Sequence, residues 1–348
     1  MIALTKGIDQ MTSLHRRGFL ALAMTAAASA RDASGAAAET PPAIDPRAGM
    51  QRLVMPGATA QALPAATVPV ILDPAAPGTP DATAPAANGP ATSVPATPAP
   101  PRWQRYAVAR PTNVDRPAIT IVVDDLGVVH PATERVLAMP GPLTLSWFPF
   151  ARNLEAQVAA GVARGHEMTL HMPMQSFGLS TAWTGPDPLR IDLPPEVNMA
   201  RLRAAIEAVP STVGLNNHMG SVATRDLPLM QLVAQACKAH DMLFLDSVVV
   251  THSVAYSAAH DIGVPAASRD VFIDHSPKPD DIREQLAQIE HHARKFGDVI
   301  AIGHPWLHTV AALEEWLPTL EAKGFTLWPL SSMVARRNDI KMQAVIRA

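Results

Sequence analysis

Cysteine is almost missing: Cys237 stands alone among 348 residues, which excludes an intrachain disulfide and a thiolate metal cluster. A charge excess of either sign is missing too. Lys and Arg number 28 against 31 Asp and Glu, and the scattered basic residues give no electrostatic footprint for nucleic acid. No Gly-rich phosphate cradle or cluster of Lys and Arg accompanies the paired acids, which argues against phosphoryl transfer. No long apolar run is present either. The alanine-rich stretch 21–30 is too short and too small in side chain for a comfortable membrane span.

What is abundant is proline, 34 residues, gathered heavily before the folded part. Arg16 and Arg17 precede Gly-Phe-Leu and the apolar stretch, which ends in small residues. This is the pattern of a twin-arginine-like export signal, expected over residues 1–38. It implies a periplasmic or secreted protein, membrane-tethered if the signal stays uncleaved, with no integral span in the mature form. Residues 39–112 are expected to be a disordered Pro/Ala-rich linker, because they carry too few large apolar side chains to offset the entropy of ordering. A folded domain is expected over 113–336, followed by a C-terminal tail at 337–348.

Within that domain apolar and amphipathic segments alternate. Strands are expected at 119–123, 143–148, 167–170, 213–216, 243–245, 299–302 and 326–328. Helices are expected at 131–138, 153–164, 196–208, 227–240, 253–260, 280–296 and 310–322. Strand and helix in strict turn imply parallel strands and right-handed crossovers, and so many units favour a barrel over an open sheet.

The strand exits carry the chemistry. Residues 119–127, ITIVVDDLG, end a buried strand in Asp124 and Asp125, where a metal cation or shared proton would relieve the repulsion. Taken alone, the pair also reads as a capping Asp beside a loop acid. Residues 165–174 place His171 at an exit, 215–221 place His218, 245–247 place Asp246 and Ser247, and 301–305 place His304. One such histidine is ordinarily structural; four polar exits together favour one shared site at a barrel mouth. An aspartate with two imidazoles suits a divalent metal, Zn²⁺ above all, in an open catalytic site.

The order DDLG, GHExxLHxPM, NNHMGS, LDS, RDVF, IGHP resembles the divergent polysaccharide deacetylase family, a branch of the NodB-like carbohydrate esterases of bacterial envelopes. The resemblance runs from Ala118 to about Val334. It implies a distorted barrel of about seven β/α units and metal-dependent N- or O-deacetylation of an acetylated glycan, such as peptidoglycan. Carried over by position, it implies Asp124 as general base, Asp125 and His171 as metal ligands, His304 as general acid and Asp246 as the acid that orients it. One position departs: Gln175 stands where those enzymes keep their second ligand histidine. His218 is the expected substitute, from its place at a strand end. A barrel that has lost turnover and binds envelope glycan is the rival expectation.

Lesser candidates complete the reading. Asn216 and Asn217 are expected to contact substrate or to brace turns. Trp183 is expected to stack on a sugar ring, Ser247 to cap a helix, and the segment Arg269 to Asp274 to hold an ion pair fixing the catalytic acids. His166 lies inside its strand and is not counted as a ligand.

Overall fold

The computed structural model describes residues 99–112, 114–178 and 184–342. The expected export signal, the linker up to residue 98, Trp183 and the tail beyond 342 lie outside the described residues. Strand β1 (Ala118–Leu126) is a run of small and β-branched residues buried on both faces, the pattern of a central parallel strand. It is followed by α2 (His130–Leu137), β2 (Thr144–Trp147), α3 (Leu154–Ala163), β3 (Glu167–Met174), α4 (Pro195–Ala208) and β4 (Thr212–Met219). Then come α5 (Leu227–Ala239), β5 (Leu243–Asp246), α6 (Ala255–His260), β6 (Ala266–Ser268), β7 (Val271–Phe272), α7 (Pro279–Phe296), β8 (Asp298–Gly303) and α8 (Leu307–Trp316). A short helix α1 (Arg102–Arg105) precedes them, and β9 (Thr326–Leu327) and α9 (Leu330–Arg337) close the domain.

Helix boundaries follow local chemistry. Asp226 caps α5 by accepting from Leu229 N at 2.8 Å. Helix α7 begins with Pro279, Asp280 and Asp281, ends with Arg294 and Lys295, and stops at Gly297 in the left-handed region at φ +86°. Among the described residues no helix is long and apolar enough to cross a membrane.

All strand pairs are parallel, and the sheet order is β6-β5-β4-β3-β2-β1-β8-β7. The two edges of this curled sheet are consecutive in sequence, with only Arg269 and Asp270 between them. Arg269 N donates to Asp246 O at 3.0 Å, and Asp270 N donates to Ile300 O at 2.8 Å. One kinked stave therefore pairs first with β5 and then with β8, which gives a distorted barrel of seven β/α units.

Several elements differ from expectation. The kinked stave was not expected, and β9 is no barrel stave but a two-residue pairing beside the start of β1. Helix α9 lies across the N-terminal strand ends: Leu330 N donates to Thr144 Oγ1 at 3.1 Å and Ser331 N to Glu167 Oε1 at 2.8 Å. Its Leu330, Met333 and Val334 join Val122, Leu245, Ile300 and Ile302 in a core cluster inside the barrel. The linker expected up to residue 112 ends earlier. Trp103 is buried in that same cluster and Arg102 bonds Thr212 Oγ1 at 2.9 Å, so α1 belongs to the domain. The expected tail is likewise engaged, with Arg337 on Asp298 and Ile340 and Met342 packed on the cluster.

Candidate metal centre

A regular strand would send Asp124 and Asp125 to opposite faces. Here the β1–β2 register shifts between Val123 and Leu126, and Asp125 takes φ +59°. This irregularity turns both carboxylates toward the barrel mouth. Asp125 Oδ1 lies 3.1 Å from His171 Nε2 and 3.0 Å from His218 Nδ1, and the two nitrogens are 3.2 Å apart. Tetrahedral zinc, with ligand bonds near 2.0–2.1 Å, needs ligand atoms about 3.3 Å apart. Asp125 Oδ1 is buried and accepts no hydrogen bond despite these close contacts. A cation between the three atoms would satisfy all of them, so the residues present fit a divalent metal.

The surroundings fix the donors. Asn216 Nδ2 donates to Asp124 Oδ1 and Oδ2 at 2.9 and 3.0 Å, which sets the orientation of its amide because a carboxylate only accepts. Its Oδ1 therefore accepts from Ser146 Oγ and, at 3.0 Å, from His171 Nδ1. With the proton on Nδ1, His171 presents its Nε2 lone pair to the centre. Phe148 packs edge-on to His218 at 4.7 Å and stacks on Phe150 at 4.7 Å, forming an apolar wall.

His304 leaves β8 at the same end. Asp274 accepts from its Nδ1 at 2.9 Å and from its backbone N at 2.7 Å, while Thr309 Oγ1 donates to Asp274 at 2.8 Å. The ring stacks on Trp306 with centroids 5.0 Å apart. Burial lowers the affinity of His304 for its proton, yet the Asp274 bond and the charges of Asp125, Asp274 and Asp124 raise its pKa to about 9.

The structure thus brings Asp124, Asp125, His171, His218 and His304 to one mouth, and corrects other expectations. Asp246 does not orient His304. Its carboxylate accepts from Val248 N at 2.9 Å, Ser253 Oγ at 2.7 Å and Tyr256 N. The reason is topological: β7, not β5, neighbours β8, so Asp274 falls beside His304. Asn216 and Asn217 are buried and make no open substrate contact. Asn217 braces two connections, donating to Met219 O and accepting from Ser247 N. Ser247 caps no helix. Arg269 pairs with neither Asp270 nor Asp274; it donates to the carbonyls of Ser247 and Val248 at 2.7 and 2.8 Å, and Asp270 pairs with Arg337. Gln175 Oε1 accepts from Ile191 N at 2.9 Å, so this side chain serves a loop. Phe148 and Asp274 were not singled out as site residues. The adjacency of β7 and β8 exits was the missing signal.

A parallel barrel whose strand tips collect acids and imidazoles at one end defines a NodB-like (β/α) fold. A family model described as divergent polysaccharide deacetylase matches residues 121–334, and the chain belongs to that family. It is 36% identical over 216 residues to the uncharacterized protein YibQ of Escherichia coli K12, covering 62% of this chain and 67% of that one. An uncharacterized protein of Haemophilus influenzae is 33% identical over 202 residues, covering 58% and 71%. Among solved structures, the uncharacterized protein ATU2773 of Agrobacterium tumefaciens superposes with a TM-score of 0.64 at 23% identity, over 67% of this chain and 95% of that one.

Proposed function

We propose that the protein is an exported, metal-dependent hydrolase that removes N- or O-acetyl groups from a carbohydrate of the cell envelope. The observation that carries this reading is the triangle of Asp125 Oδ1, His171 Nε2 and His218 Nδ1, with a buried carboxylate oxygen lacking any hydrogen bond at one corner. These three residues would hold the ion. A bound zinc ion lowers the pKa of water toward about 7 and polarises an acyl carbonyl, the two needs of amide or ester hydrolysis.

The remaining steps fall to the chain's own side chains. Asp124, held at both oxygens by Asn216, accepts the proton of the attacking water. His304, kept as an imidazolium by Asp274, donates to the departing amine or alkoxide. Turnover accordingly falls once pH rises far enough for His304 to lose the proton that Asp274 helps it hold. Asn216 keeps His171 in the tautomer that presents Nε2 to the centre. A second reading, glycan binding without turnover, draws support from Gln175, which stands where related enzymes have a ligand histidine.

Acetate release from acetylated peptidoglycan fragments and chitooligosaccharides, measured with zinc content by mass spectrometry, separates the two. Asp124→Asn is expected to reduce release by about 10²–10⁴-fold while zinc stays bound. Stoichiometric zinc without release from any acetylated glycan would leave the binding module standing. Absence of zinc uptake would remove both the centre and the hydrolase.

A further inference from the structure

Arg269 is a cation drawn out of water with no anion to meet it. It stands at the bend between β6 and β7, half-buried, and burial lowers its affinity for its proton. Charges withdrawn from water are ordinarily paired. Here the partners are carbonyls: Nε donates to Ser247 O at 2.7 Å and Nη2 to Val248 O at 2.8 Å. The acids whose fields reach it are engaged elsewhere. Asp124 is held at both oxygens by Asn216, Asp246 takes bonds from Val248 N, Ser253 Oγ and Tyr256 N, and Asp270 pairs with Arg337. Glu155, Glu196, Asp280 and Asp281, which open helices at this end of the barrel, make no contact with it either.

A guanidinium carries five N–H groups in one rigid plane. The two carbonyls take one from Nε and one from Nη2, which fixes that plane. Of the rest, one on Nη1 and one on Nη2 run parallel from the free end of the fork. Among the described residues Nη1 has no partner, and it is not shut off from water. A ring hydroxyl takes one such bond, whereas a carboxylate takes both.

The open fork lies beside the proposed chemistry. The guanidinium carbon is 4.8 Å from the centroid of the Phe272 ring, and that ring is 5.5 Å from the His304 imidazole. Ser247, whose carbonyl Arg269 holds, accepts from Asn216 Nδ2 at 3.2 Å, and the same amide holds Asp124. One sugar ring with its substituents covers the step from His304 past Phe272 to this cation. Phe148 and Phe150, across the barrel on the stave of β2, offer a carboxylate nothing. With a divalent ion at the centre, the mouth aspartates 124, 125, 246 and 274 are matched in charge by the ion, His304 and Arg269. An arriving carboxylate therefore meets no excess of negative charge.

We propose that Arg269 is a substrate-binding residue that takes a carboxylate, and that the acetylated sugar reaching the centre is an acidic one. The carboxylate site stands on this geometry; its service to acetyl release rests on the deacetylase reading. Two sugars present the required chemistry: an acetylated muramic acid, through its lactyl group, and an acetylated uronic acid, through its ring carboxyl.

The test is calorimetric binding to the full-length chain in zinc buffer, carrying Asp124→Asn so that turnover is suppressed. The ligands are N-acetylmuramic acid, an N-acetylated aminouronic acid and the neutral amide of each. For one of the two pairs the acid is expected to bind about 10–100-fold more tightly than its amide, and that pair identifies the carboxylate. Arg269→Gln is expected to erase the preference, and Arg269→Lys, which keeps the charge and loses the fork, to retain part of it. A mere brace for the Ser247 and Val248 carbonyls would weaken acid and amide alike, so a preference left intact in Arg269→Gln overturns the proposal. Equal affinity for acid and amide with Arg269 in place overturns it without any substitution at that position. Acetate release from the wild-type chain tests the deacetylase reading separately. Release from neutral N-acetylglucosamine oligomers as efficient as from the acidic sugars keeps the deacetylase and overturns selection by Arg269. Binding preference that depends on Arg269, with no acetate from any sugar, keeps the carboxylate site and removes the deacetylase.

Discussion

The two ends of the barrel both bury charge, and they treat it in opposite ways. At the N-terminal end the Glu167 carboxylate takes hydrogen bonds from Ser331 N at 2.8 Å, from Ser331 Oγ and from Val108 N at 3.3 Å. Arg337 there joins Asp270 and Asp298. Every one of these groups meets a complement, and together they fasten α9 and the segment before β1 over the base. At the mouth, Asp125 Oδ1 accepts no hydrogen bond, and both Asp125 and Val248 sit at positive φ, +59° and +49°. Buried charge is therefore a weak mark of function. Buried charge whose partners leave a gap, on backbone held in a costly conformation, is a stronger one.

The contrast breaks most visibly at Arg337. Arg337→Ala strips the guanidinium from two poorly exposed carboxylates and is expected to cost about 3–5 kcal/mol in urea denaturation. A loss below about 1 kcal/mol would show that the base is not held by its charges.

Glu167 ties the same end to pH. Burial outweighs its hydrogen bonds and pushes its carboxyl up to about 7, against an ordinary value of 4.5. Between these values the folded chain keeps a proton that the unfolded chain has released. The contribution is therefore most favourable below 4.5 and declines as pH rises to about 7, by about 3 kcal/mol in all. Denaturation at acid and mildly alkaline pH should show this fall in the wild type and a flatter response in Glu167→Gln; equal slopes would reject it.

At the mouth, Asn216→Ala leaves Asp124, Ser146 and His171 without their common partner. Zinc affinity by competition with a chelator is expected to fall about 10–100-fold. Undiminished affinity would show that the amide does not prepare His171. The smallest effect is expected at Val248, a β-branched residue in the left-handed region, fixed by Asp246 on its N–H and Arg269 on its carbonyl. Val248→Gly should raise stability by about 1 kcal/mol, the strain relieved less the entropy that glycine adds to the unfolded chain. A loss instead would mean that the mouth stores no strain there.

Much of the mouth was legible because its polar residues interrupt apolar runs at points where strands must end. Asp125, His171 and His218 stand out from ITIVVDD, MTLHM and LNNHM for that reason. The kinked stave was not legible: Ala266 to Phe272 is brief, carries Arg269 and Asp270 in its middle, and shows no sustained alternation. Helix α9 hid because Ser331 and Ser332 are buried polar residues on a plug, which blurs its apolar stripe. Placing Asp246 rather than Asp274 beside His304 failed because β7, the two-residue strand between β5 and β8 that carries the chain to Asp274, was not among the expected strands. The role of Asn216 depends on Asp124 and His171 converging on one amide from β1 and β3, which linear spacing does not reveal.

The left-handed turn at Asp125 narrows the routes by which this barrel can change. Position 125 asks for a short carboxylate and for a backbone shape that glycine, asparagine and aspartate adopt readily, while glutamate and cysteine resist it. Exchange to asparagine preserves the shape and deletes the charge, at the expense of one oxygen. On the proposed reading, that single exchange would remove a metal ligand while leaving the backbone in place. Within this architecture the proposed chemistry would then depend on one side-chain tip more than on the fold around it.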